Sequence, residues 1–271
     1  MTTRSANVIN KESNSMYLHS VWLNDVEFPP LIESVRQRFT EEYESRFGAG
    51  QTKGLYKRDD WARISFCYER VAQIGGSILD IGVGPGGLLN ILGLDERFDR
   101  VTGIDIRHYS KLVKMKDDLD IRIMDVGEMS FADNSFDTLV CMEVLEHIEK
   151  PHFLRALSEL RRVAAKQIFM TIPLREPEPL PPYHKLRFDF GDVVEHFPDG
   201  EFYILEPERG VPWLAIMEYI GDPASITQRP QPAADVSARP SPGAISPPQG
   251  QPLATSLPTP GNKAASSSDT F

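Results

Sequence analysis

The chain has 271 residues, 41% of them apolar, and 29 Lys and Arg stand against 39 Asp and Glu for a formal charge of −10. Such a length suits one domain with or without a tail, and the apolar share supports a buried core. The acidic balance opposes non-specific attraction to phosphate backbones, so nucleic acid is not an expected partner. Cys67 and Cys141 form no redox or metal motif, which fits a reducing compartment and predicts a cytoplasmic protein. The polar stretch Met1–Ser15 has no apolar signal core, and no run approaches the roughly 20 residues of a membrane span.

In chain order, Leu31, Val35, Phe39, Tyr43 and Phe47 recur at helical spacing, with Gly48 as a stop. A second helix, capped by Asp59 or Asp60, would carry Trp61, Ile64, Cys67, Tyr68, Val71 and Ile74 and end at Gly75-Gly76. Between them, Gly50 to Tyr56 reads as a flexible connection able to serve as a lid. From Ser77 the pattern alternates. Strands are expected at 77–83, 100–106, 121–126, 136–142 and 165–172, and helices at 86–94, 108–118 and 149–164. Arg155, Arg161, Arg162 and Lys166 read as the solvated face of that last helix. A short helix around 190–197 and two strands near 201–208 and 211–219 follow, the latter close enough to pair as a hairpin. The expected fold is α/β: a doubly wound, Rossmann-like sheet, mostly parallel, with an antiparallel hairpin at its edge. From Asp222 to Phe271 there are ten prolines, eight serines and eight alanines, which predicts a disordered tail. The domain reading is therefore 1–58 as a helical extension and possible lid, 59–221 as the main domain, and 222–271 as the tail.

In an open sheet of this kind ligands bind beyond the carboxyl ends of the strands. Gly82, Gly84, Gly86 and Gly87 end the first strand, Asp105 the second, Asp125 the third and Glu143 the fourth. The spacing Gly82-x-Gly84-x-x-Gly87 alone fits a dinucleotide site equally well, with Asp105 on a ribose.

Three segments together resemble the class I S-adenosylmethionine (SAM) methyltransferases, of the methyltransferase type 11 and ubiquinone-pathway O-methyltransferase kind. They are Ser77-Ile78-Leu79-Asp80-Ile81-Gly82-Val83-Gly84-Pro85-Gly86-Gly87, the stretch from Asp125-Val126 to Ser135-Phe136-Asp137, and Cys141-Met142-Glu143-Val144-Leu145-Glu146-His147-Ile148. The resemblance runs from about Ser77 to Phe202. It implies SAM as cofactor, with contacts from Asp80, Gly82, Gly84, Gly86, Asp105, Ile106, Asp125, Val126 and Met142. Asp80 would orient the loop or reach the ammonium, Asp105 would take both ribose hydroxyls, and Asp125 would accept from the adenine amine while the Val126 amide donates to the ring. Pro85 departs from the small polar residue common there and stiffens the loop.

The methyl donor carries most of the chemistry, so the protein must align an acceptor and, for oxygen, remove a proton. Glu143, Glu146 and His147 stand at i, i+3 and i+4. Similar Glu-x-x-Glu-His segments in ubiquinone-pathway O-methyltransferases and small-RNA 2′-O-methyltransferases are tied to metal, with a later histidine matched here by His184. Three readings remain open. Glu143, Glu146, His147 and His184 could hold a divalent metal; His147 or His184, with Glu143 nearby, could act as metal-free base; or Glu146 and His147 brace the next helix. The expected reaction is methyl transfer to a small-molecule or saccharide acceptor at oxygen. RNA 2′-O-methylation and non-catalytic SAM binding stand as alternatives, and a NAD-dependent oxidoreductase fits less well because no dehydrogenase acid–base motif follows.

Overall fold

The computed structural model describes residues 18–53 and 55–221, together with short strand segments at 4–5, 9–11 and 14–16; the stretch 222–271, expected as a tail, lies outside the described residues. The elements in chain order are β1 (Arg4–Ser5), β2 (Ile9–Lys11), β3 (Asn14–Met16), β4 (Leu18–Trp22), α1 (Pro30–Phe47), α2 (Arg58–Val71), β5 (Ser77–Ile81), α3 (Gly87–Leu94), β6 (Arg100–Asp105), β7 (Asp120–Ile123), β8 (Phe136–Met142), α4 (Lys150–Val163), β9 (Ala164–Pro173), α5 (Phe190–His196), β10 (Glu201–Glu206) and β11 (Trp213–Tyr219).

One sheet runs β1-β4-β10-β11-β9-β8-β5-β6-β7. Strands β5 to β9 are parallel, and β11 lies antiparallel to both β9 and β10. The expected hairpin is present beyond β9. Outside it the N-terminal segment adds β4, parallel to β10, so residues 1–58 supply a strand as well as a helix. Side-chain alternation along the strands sends Leu79, Ile81, Leu139 and Met170 to one face, against Phe153, Leu157 and Leu160 of α4. Ile78, Val140 and Phe169 go to the other, against Phe39 and Tyr43 of α1, Trp61 and Phe66 of α2, and Ile91 of α3. Both faces are covered, as continuous apolar parallel strands require.

Local chemistry explains the helix limits. Pro30 opens α1 where its missing N–H costs nothing, and Gly48, at φ +110°, closes it. In α2, Asp60 accepts the Lys57 N–H at 2.8 Å. On α4, Arg161 pairs with Glu218, Arg162 with Glu159 and Asp133, and Lys166, just beyond it, with Asp137.

The helix expected at 108–118 does not form; the segment is an irregular connection. Its backbone groups are bonded instead to the glycine loop and to α3. The buried Asn90 amide donates to Gly86 O at 2.7 Å and Val113 O at 2.8 Å, and its oxygen accepts from the Met115 N–H at 2.7 Å. The Val113 N–H donates to Pro85 O at 3.0 Å. Tertiary partners thus claim the groups a helical ladder needs. The strand expected at 121–126 ends early, at Ile123, so Asp125 and Val126 sit in the turn beyond it.

Asn90→Ala should lower unfolding stability by roughly 2–4 kcal/mol, because it orphans the Val113 carbonyl and the Met115 N–H and leaves Gly86 O with its backbone donor alone. Urea unfolding measures this, and a loss below about 0.5 kcal/mol would show that the connection is held without Asn90.

Candidate active site

Strand order reverses around β5, whose parallel neighbours are β6 on one side and β8 on the other. Beyond their carboxyl ends a cavity of about 800 Å³ opens. Of the residues singled out in the sequence it is lined by Gly82, Gly84, Asp105, Ile106, Asp125, Val126, Glu143 and His147. Asp80, Gly86, Met142, Glu146 and His184 lie outside its wall.

The loop after β5 is shaped by close backbone approaches. At Gly82 (φ +79°) an added Cβ would stand 2.3 Å from Val144 Cγ2, and at Gly86 (φ +99°) one would stand 2.7 Å from Val113 O. No other residue fits either position. The Gly84 N–H donates to Asp105 Oδ2 at 3.2 Å, and the Arg107 N–H to Oδ1 at 3.3 Å, so two backbone donors hold the Asp105 carboxylate at the cavity edge. Ile106, beside it, is 65% exposed, an apolar surface turned to the same opening. Tyr56, in the connection read as a lid, packs against Phe39 and Trp61 and accepts the Gly87 N–H at 3.2 Å, covering the start of α3.

Asp80 is only 4% exposed and faces the α1–α2 side of the sheet. Burial, reinforced by the Asp105 charge, raises its pKa from 3.8 to about 7.

Glu143 ends β8 with φ +56°. Its carboxylate accepts from Trp213 Nε1 at 2.7 Å and Thr171 Oγ1 at 3.1 Å, with Arg63 Nη1 at 3.5 Å. Arg63 is itself buried and lies over the Trp213 ring at 4.9 Å. This cage separates Glu143 from the other three members of the proposed metal set. Glu146, His147 and His184 each bring one ligand atom to within 4.8 Å of the others, and Glu143 is not among them.

In that trio, His147 Nδ1 meets the Tyr183 carbonyl at 3.1 Å and His184 Nδ1 meets Glu176 Oε2 at 2.6 Å. Both partners accept, so each Nδ1 carries the proton and each Nε2 of the neutral rings keeps a lone pair. The imidazoles meet edge to face with centroids 4.9 Å apart. Glu146 is 1% exposed, and its Oε2 has no hydrogen-bond partner. Desolvation, with the Glu143 charge second, pushes its pKa well above the usual carboxylate range.

Sequence reasoning missed Arg63, Trp213 and His152. His152 Nε2 lies 2.6 Å from Asp125 Oδ1, inside the cavity wall. The Pro151-His152 pair opening α4 places this ring, but its partner is 27 residues upstream and no local pattern announces the contact.

With this geometry established, comparison with known proteins is direct. Residues 79–169 match the family model described as a methyltransferase domain. A phosphatidylethanolamine N-methyltransferase of Cereibacter sphaeroides is 31% identical over 41% of this chain and 61% of its own length. A ubiquinone biosynthesis O-methyltransferase of Hahella chejuensis is 33% identical over 41% of this chain and 49% of its own. The chain thus spans about half to three fifths of the length of these relatives. A solved structure from Pyrococcus horikoshii OT3 is 17% identical, covers 66% of this chain and 98% of its own, and aligns at TM-score 0.48. Residues 79–169 are thus similar to a methyltransferase domain, in agreement with the class I, SAM-dependent kind that the sequence resembles. The cofactor that such a domain implies is S-adenosylmethionine.

Because the folded chain holds the Asp80 proton up to about pH 7 and the unfolded carboxyl releases it near 3.8, Asp80 supports folding at low pH and that contribution fades as pH rises between the two values. Asp80→Asn should therefore gain stability relative to wild type across this window, on the order of 3 kcal/mol by pH 7. Urea midpoints without SAM measure it, and a pH-independent difference would refute the assignment.

Proposed function

We propose that the chain binds SAM in the cavity beyond β5, β6 and β8 and transfers its methyl group to an oxygen of a small-molecule or saccharide acceptor. The observation that carries the cofactor reading is the register of the Gly82–Gly84 backbone, the anchored Asp105 carboxylate and Asp125 around one opening. Asp105 would receive the ribose hydroxyls, Ile106 and Val126 would pack against adenine, and Asp125 would accept its amine. Asp80, Gly86 and Met142 would act from behind the wall, shaping the loop and the end of β8 without touching the ligand.

Held there, SAM would supply a methyl group whose transfer to the acceptor oxygen leaves the neutral thioether S-adenosylhomocysteine, so the chain's own part is to align the acceptor and take up its proton. His147 lines the cavity with its Nδ1 engaged by the Tyr183 carbonyl and its Nε2 3.8 Å from Glu146 Oε1, so Nε2 is the atom that would take that proton. His184 stands behind it with Glu176 fixing its ring. The carboxylate of Glu143, held by Trp213, Thr171 and Arg63, shapes the acceptor side rather than moving a proton.

The trio also fits a divalent cation. Each of the three brings one ligand atom to within 4.8 Å of the others, Glu146 is buried with its Oε2 unpartnered, and Glu176 supports one ring as outer-shell carboxylates do in metal sites. Glu146, His147 and His184 would hold the ion, which when bound lowers the pKa of an acceptor hydroxyl. The relatives include both an O- and an N-methyltransferase. The choice of oxygen rests on this proton-accepting cluster, which a neutral amine does not need. An RNA acceptor is disfavoured by the charge of −10 and by the ion pairs that neutralise Arg161, Arg162 and Lys166. Among the described residues no helix is long and apolar enough to cross a membrane.

Calorimetry should show SAM and S-adenosylhomocysteine binding, with NAD far weaker, and Asp105→Ala should lose roughly 1.5–3 kcal/mol of SAM binding. Tight NAD binding without SAM binding would overturn the cofactor reading.

Titration with Mn²⁺ or Zn²⁺ tests the cation. Binding to the wild type that disappears in His184→Ala, with SAM affinity retained, supports a metal site. Absence of binding leaves His147 as the base, and His147→Ala should then lower the methylation rate by about 10²–10⁴.

A further inference from the structure

The carboxylate of Asp125 does not stand free in the cavity. Its Oδ1 receives two donors, the Gly127 N–H at 2.7 Å and the His152 ring at 2.6 Å. On the far side of that ring Arg155 Nη2 lies 2.7 Å from Nδ1. A guanidinium only donates, so Nδ1 must be the accepting nitrogen, and the proton of the neutral ring sits on Nε2, aimed at Asp125. Arg155 thus selects the tautomer that makes His152 a donor. Both donors converge on Oδ1, and no hydrogen bond among the described residues reaches Oδ2, while the side chain stays 37% exposed at the opening. Gly127 makes this possible twice over: through its N–H, and because a Cβ there would stand 2.8 Å from His152 Cε1 and Nε2.

We propose that His152, locked by Arg155 and admitted by Gly127, is a positioning residue that turns Asp125 Oδ2 toward the exocyclic amine of the cofactor's purine, and so sets selectivity for an amino- over an oxo-purine. The proposal rests on the cofactor reading above. A carboxylate rotates easily about its Cβ–Cγ bond, and an unanchored one would meet an amine or a water equally well. Filling one oxygen with two donors leaves a single acceptor of fixed direction, the geometry that repels a purine carbonyl and rewards an amine. The ring also lines the cavity, so it acts at the boundary of the ligand without offering it a further polar atom.

The test compares S-adenosylhomocysteine with S-inosylhomocysteine, which carries a carbonyl in place of the amine, by calorimetry on the full chain. Wild type should prefer the adenosyl ligand by roughly 100-fold or more. His152→Ala should bind it about tenfold more weakly and lose most of the preference, because the carboxylate, held by the Gly127 N–H alone, turns away from a carbonyl as readily as toward an amine. Gly127→Ala should behave likewise by expelling the ring. His152→Gln, whose amide can donate from nearly the same place, should return affinity to within about threefold of wild type. The proposal is overturned if a folded His152→Ala keeps affinity and preference, or loses affinity equally for both ligands without rescue by glutamine. Should His152→Ala not fold, the Gly127→Ala and His152→Gln comparison decides alone. A wild-type chain that binds neither ligand defeats the cofactor reading itself, which separates that failure from this one.

Discussion

The loop between β5 and α3 depends on hydrogen bonds that come from elsewhere in the chain. Asn90 holds Gly86 and the connection before β7 together through a single buried amide, and the Gly82 N–H reaches Ile104 O at 2.8 Å on β6. These bonds align three successive pieces of backbone, so that Asp105 meets the Gly84 amide and the wall of the cavity closes. A glycine loop without them would be free to collapse onto α3. Its openness to a ligand is a consequence of being held from behind, in a buried setting where each unmade bond is costly.

The acids at the rim differ in the company they keep, and this sets their chemistry. Asp105 and Asp125 accept backbone amides at the surface of the cavity. Asp80 and Glu146 sit in apolar surroundings and hold their protons to higher pH. Glu143 has a cation and two neutral donors around it. Five carboxyl groups near strand ends therefore divide into amide-held acceptors at the cavity edge, buried proton holders and a braced wall.

What could be read from the sequence follows from how local each signal is. The strand at 136–142 and the helix from 150 to 163 carry their burial pattern within themselves, and the structure reproduces both closely. The irregular course of 108–118 was not legible, because the partner that prevents a helix is Asn90, some twenty residues upstream. Leu18–Trp22 gave no strand signal because its partner, β10, lies near the other end of the domain. The site shows the same division. Gly82, Gly84, Asp105 and Asp125 were identified because each belongs to a strand end. Arg63 and Trp213 were not, since they meet Glu143 only after β8, β9 and β11 have assembled. The grouping of Glu143 with Glu146 and His147 followed from helical spacing; the chain makes only a short 3-10 turn at Leu145–His147, and Glu143 points into a different cage.

The pairing of β4 with β10 bears on how the protein is made. Ser20 registers with Ile204, so β4 acquires its place beside β10 only after the roughly 180 residues between them have been synthesised. Until then β4 has only the two-residue β1 beside it, and α1 and α2 must cover one face of a sheet whose outer strands do not yet exist. Such a late, long-range closure slows assembly and leaves an edge open to wrong partners in the interval. The emergence of β10, rather than that of β4, is therefore the moment at which this sheet can close.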